Sequence, residues 1–122
     1  MKLEPTAEEN IAQTAFCWKV YGQYGSEEKA IKAFRRRKGM KEFPPEEVKL
    51  WLEQALAVKS KLDEIKKEIV RGYGRPSLEY LRKDEFEDGT KNLRSQLNSE
   101  FSSMSITVEY MISMAWCMYY LR

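Results

Sequence analysis

The chain contains no histidine. Its absence removes the side chain that most often acts as general base, ligates zinc or switches charge near neutral pH. Ser-His-Asp and Cys-His nucleophilic catalysis are excluded with it. Two cysteines, Cys17 and Cys117, are too few for a zinc site. A ferritin-like di-iron centre needs Glu-x-x-His pairs and is excluded in that form. Glycine and proline are sparse, at 6 and 4 of 122 residues. No Walker loop, Rossmann glycine fingerprint or nucleophile elbow occurs. No segment alternates apolar and polar residues with a period of two, so no strand is expected.

Long apolar runs are also lacking. The first ten residues, MKLEPTAEEN, hold no apolar stretch of the kind a secretory signal requires. The most apolar segment, residues 106–121, is interrupted by Glu109 and Ser113 and falls short of the roughly 20 apolar residues that cross a bilayer. The expectation is a cytoplasmic protein, one helical domain over residues 1–122, with reduced thiols and no membrane association. Cys17 lies between Phe16 and Trp18, and Cys117 between Trp116 and Met118. Such apolar neighbours suit inert packing thiols.

Helical signals fill the chain. Thr6 and Glu9 have capping-box spacing. Behind them Ile11, Ala12, Ala15, Phe16 and Val20 recur at helical spacing, ending near Gly22 or Gly25. Ser26 can cap a second helix, with Glu27 and Glu28 at its positive end and Ala30, Ile31 and Phe34 as its apolar stripe. Pro45 suits the first turn of a third helix, about 45–71. There Val48, Trp51, Ala55, Val58, Leu62, Ile65 and Ile69 alternate spacings of three and four, an a/d seam for an intramolecular bundle or a dimeric coiled coil.

Two glycines and a proline break that helix over 71–76. Ser77 can cap a short fourth helix bearing Leu78, Leu81 and Phe86. Asp88-Gly89 reads as a turn, with Thr90 capping the next helix through Leu93, Leu97, Phe101 and Met104. The serines at 102, 103 and 105 interrupt that helix or are absorbed into it. The last segment, with Tyr110, Met111, Met114, Trp116, Met118, Tyr119 and Tyr120, is apolar on nearly every face and reads as a buried C-terminal helix. The fold expected is all-α: an irregular bundle of five or six helices around one long central helix.

Charge is balanced, 21 Lys and Arg against 19 Asp and Glu, yet clustered. Residues 29–41 hold seven cations and no acid. Of these, Lys32, Arg35, Arg36, Arg37, Lys38 and Lys41 form a candidate phosphate-binding block or a solvated helix end. Arg71, Tyr73 and Arg75 occupy the glycine-rich break, and Arg and Tyr are favoured interface anchors. Glu46, Glu47, Asp84, Glu85 and Glu87 are acidic candidates for meeting a partner. The stretch 84–89 lacks the spacing and terminal glutamate of an EF-hand, so no metal or cofactor is expected.

Together these features describe a small non-enzymatic protein, monomer or homodimer, that binds another protein. A bacterial immunity protein or inhibitor occupying a toxin domain is the concrete form expected. A chain of this size can offer the roughly 800 Å² per partner of a specific interface. The alternative is a nucleic-acid-binding or regulatory helical domain using the 29–41 block.

Overall fold

The computed structural model describes residues 4–116. Cys117, Met118, Tyr119 and Tyr120 of the apolar C-terminal segment lie outside the described residues. Within these bounds the protein is all-α, with five α-helices and no strand: α1 (Pro5–Val20), α2 (Glu27–Arg35), α3 (Pro45–Gly72), α4 (Lys83–Glu100) and α5 (Ser105–Met111). A 3₁₀ turn, Leu78–Tyr80, precedes α4, and a wider π turn, Ile112–Trp116, continues α5. The chain divides into two compact units, Met1–Ala57 and Val58–Arg122, with the boundary inside α3.

In the first unit, α1 begins two residues earlier than a Thr6 cap requires. Pro5 takes the first turn, where its missing N–H costs nothing, and the capping position falls to Glu4 without a side-chain bond. Ala7, Ile11, Ala12, Ala15 and Phe16 are buried, whereas Val20, at the helix end, is exposed. Ser26 caps α2 as expected, its Oγ accepting from the Lys29 amide at 3.3 Å. Ala30 and Phe34 are buried on α2, and Ile31 is half-buried. Val48, Leu52 and Ala55 bury the first half of α3.

The long helix spans 28 residues, about 40 Å. Leu52 takes the buried place that strict heptad spacing gave to Trp51, which is half-buried. The seam is otherwise kept, with Ala55, Val58, Leu62, Ile65 and Ile69 all buried.

The second unit buries Val58, Leu62, Ile65, Ile69 and Val70 from α3 and Phe86, Leu93 and Leu97 from α4. Its main departure from expectation is at Asp88-Gly89. That pair lies inside α4, which runs unbroken from Lys83 to Glu100. A Cβ on Gly89 would sit 2.9 Å from Ile69 Cγ2 and 3.4 Å from Trp116 Cζ2. Glycine is there for close packing, and α4 absorbs its helix-propensity cost of about 1 kcal/mol. Thr90, expected as a cap, is instead a mid-helix residue whose hydroxyl donates to the Phe86 carbonyl at 2.8 Å.

The same hydroxyl accepts from Trp116 Nε1 at 2.6 Å. Trp116 is fully buried and stacks on Phe86, centroids 5.2 Å apart and planes 9° from parallel. Ser77 opens only the 3₁₀ turn and makes no capping bond, and Phe86 belongs to α4. The serine-rich stretch does interrupt the helix, separating α4 from α5. The C-terminal element is buried through Thr107, Val108, Met111, Ile112 and Trp116.

Candidate functional site

The break after α3 is built by backbone hydrogen bonding. Gly74 adopts φ +68°; its amide donates to the Arg71 carbonyl at 2.9 Å, and the Arg75 amide to the Val70 carbonyl at 3.0 Å. This is a Schellman closure, which satisfies two otherwise orphaned carbonyls and needs a residue at ease in the left-handed region. It turns the chain so that Arg75 faces the start of α4.

There Arg75 Nε and Nη2 donate to Glu85 Oε1 and Oε2, both at 3.0 Å. The main-chain amide of Arg82 also donates to Glu85 Oε1, at 2.9 Å, so the same carboxylate caps α4. The Arg75 guanidinium and that amide hold the Glu85 carboxyl below the ordinary carboxylate value, against its partial burial. One position earlier than Gly74, the Tyr73 hydroxyl donates to Asp88 Oδ2 at 2.9 Å. That bond, with neighbouring carboxylates, raises the phenol above its ordinary value. Loop and helix start are therefore tied at two places.

The tied loop walls a cleft of about 570 Å³. Lys66, Lys67, Arg71 and Arg75 supply its charge, and Val70, Pro76 and Leu78 its apolar surface. Among the described residues, Arg75 is the one of these cations in an ion pair, with Glu85 at 3.0 Å. Arg71 and Arg75 were legible as candidates. Lys66 and Lys67 carry no signal of their own in the sequence, although Lys67 and Arg71 stand four apart and share a helix face, and Leu78, expected on a fourth helix, lines the cleft instead.

The 29–41 block occupies a second concavity, of about 640 Å³, in the first unit. Lys32, Arg35, Arg36, Arg37 and Lys41 line it, while exposed Lys38 does not. Arg35 and Arg37 are anchored. Arg35 donates to the carbonyls of Phe43 and Lys41 at 2.9 and 3.0 Å. Arg37 Nη1 donates to Asn10 Oδ1 and Gln13 Oε1 at 2.8 and 2.7 Å.

The acidic candidates are not one group. Glu46 and Glu47 sit in the first turn of α3, in the first unit, where they complement the helix dipole. Asp84, Glu85 and Glu87 belong to α4 in the second unit. Asp84 and Glu87 are exposed, and Asp84 pairs with Arg82 at 3.3 Å. Glu85 is 7% exposed, with both oxygens engaged as described.

Among the described residues no group of three or more His, Cys, Asp or Glu side chains could hold a metal ion. No helix among them is long and apolar enough to cross a membrane. Compared with protein-family models, curated proteins and solved structures, the chain matches none.

Proposed function

We propose that this is a non-enzymatic binding protein that engages an acidic segment of another protein through the cleft at residues 66–78. Its occupancy of that surface neutralises the partner, in the manner of a small immunity protein or toxin inhibitor. The observation that carries the reading is the pairing, in one preformed cleft, of Lys66, Lys67 and Arg71 with Val70, Pro76 and Leu78. A partner segment carrying acids beside an apolar side chain uses both kinds of surface.

Preorganisation favours the same reading. The Schellman closure and the Arg75–Glu85 bonds hold the loop before any partner arrives, which lowers the ordering cost of association. Arg71 is of a residue type that concentrates binding energy at interface centres.

The test is affinity isolation of the tagged protein at about 150 mM salt, where screening is moderate, with and without nuclease treatment. The expected result is a stoichiometric protein partner that survives nuclease and competes with an acidic, apolar-containing peptide. Recovery of nucleic acid alone contradicts the reading.

A further inference from the structure

The concavity in the first unit has a different chemistry, and it stands apart from the reading above. We infer that it binds the phosphate backbone of a nucleic acid. Its lining is Lys32, Arg35, Arg36, Arg37, Gly39 and Lys41, with neither an acid nor an apolar side chain. Beyond the aliphatic stems of its lysines and arginines this surface offers no apolar side chain, so it suits a ligand that presents charge at regular intervals.

The two anchored arginines make the basin more than a run of solvated cations. Each guanidinium has five N–H donors and spends two of them on neutral acceptors: main-chain carbonyls for Arg35, side-chain amide oxygens for Arg37. The groups are positioned with their charge intact and donors left over. Among the described residues no ion pair involves Arg35, Arg36, Arg37 or Lys41. Lys32 reaches Glu28 at 3.6 Å on open surface, a weak tie.

Helix-end electrostatics explain only part of this. Lys32 and Arg35 lie in the last turn of α2 and complement its negative end. Arg36, Arg37 and Lys41 lie beyond that turn and crowd the same basin. A polyanion relieves their mutual repulsion, and fork-shaped donors suit phosphate oxygens. The lining offers no aromatic platform on which a base could stack, so contacts fall on phosphate oxygens and the expected binding depends little on sequence.

The test is fluorescence anisotropy of a labelled, mixed-sequence single-stranded RNA of about ten nucleotides, titrated with the full chain. Neutralising about three phosphates gives a log–log salt slope of about −2 and roughly twentyfold weaker binding between about 50 and 200 mM salt. The side chains of Arg36 and Lys41 are exposed, and the carbonyl of Lys41 that holds Arg35 is main-chain, so Arg36→Glu with Lys41→Glu preserves the fold and brings the slope to about −0.7 or less. Arg35→Lys keeps the charge but loses the fork, and it weakens binding without changing the slope. The reversal Lys67→Glu with Arg71→Glu, in the other unit, leaves RNA binding as in the wild type. Undiminished binding by the Arg36/Lys41 variant overturns the inference, as does displacement by poly-glutamate equal to that by inorganic polyphosphate.

Discussion

Arg75 and Glu85 meet in a two-point bond, Nε to Oε1 and Nη2 to Oε2, both 3.0 Å, that spans the break between α3 and α4. Because Glu85 Oε1 also accepts from the Arg82 amide, one carboxylate fixes the loop and the helix start together. The wall of the 66–78 cleft depends on this junction.

Removing either partner should therefore loosen the same element. Arg75→Ala and Glu85→Gln are each expected to lower Tm and speed proteolysis within residues 73–78. The double variant should be little worse than the worse single one, because both break one interaction. Arg75→Lys should not restore the wild type, since an ammonium cannot make the forked pair. Thermal unfolding of the four proteins checks this; additive losses would show that the bond is not shared.

Acid and alkali should act on the junction from opposite sides. Glu85 is held below 4.5, so its ionised form is favoured by folding. That stabilisation is complete above 4.5 and disappears as pH falls through the lowered value. Tyr73 is held above 10.0, so its protonated form is favoured; its contribution is complete below 10.0 and disappears as pH rises through the raised value. Urea midpoints measured against pH should fall less steeply in acid for Glu85→Gln, and less steeply in alkali for Tyr73→Phe, than for the wild type.

Two glycine substitutions should fail for different reasons. At Gly74 a Cβ has nothing within 4 Å, but φ is +68°, so Gly74→Ala costs about 1–2 kcal/mol of backbone strain. At Gly89 the backbone is helical and alanine would otherwise help, yet the 2.9 Å approach to Ile69 Cγ2 makes Gly89→Ala destabilising by about 1–2 kcal/mol. Ile69→Ala is costly on its own, but in a double-mutant cycle its combined loss with Gly89→Ala should be less than the sum of the two, whereas with Gly74→Ala the losses should add, as chemical denaturation can show.

Gly89 also marks the limit of what the sequence discloses. Asp-Gly is a strong local turn signal, and only the neighbouring Ile69 and Trp116, distant in sequence, make a side-chain-free position inside a helix worthwhile. The long helix was legible because Val48, Ala55, Val58, Leu62, Ile65 and Ile69 repeat a period that burial imposes along 28 residues. The break at 71–76 was legible from its glycines and proline. The ties from Arg75 to Glu85 and from Tyr73 to Asp88 were not, since Arg71, Tyr73, Arg75 and the acids of 84–88 carry no spacing rule across an irregular loop. Periodicity reports which face is buried; it says nothing of which charges meet across a turn.

The core contact of Trp116 gives an independent check of the second unit. Thr90→Val keeps the shape but leaves the buried Trp116 Nε1–H without its acceptor, an expected loss of about 1–3 kcal/mol. Tryptophan fluorescence during denaturation would report both the loss and any shift in the emission of the native state. An unchanged midpoint would mean that the indole finds another partner.

The proposal of a protein partner at the 66–78 cleft is tested most directly by comparing two charge reversals against that purified partner by calorimetry. Lys67→Glu with Arg71→Glu is expected to abolish the interaction, while Arg36→Glu with Lys41→Glu, in the other unit, leaves it at wild-type affinity. Retained affinity in the Lys67/Arg71 variant, with the fold intact by circular dichroism, would contradict the account.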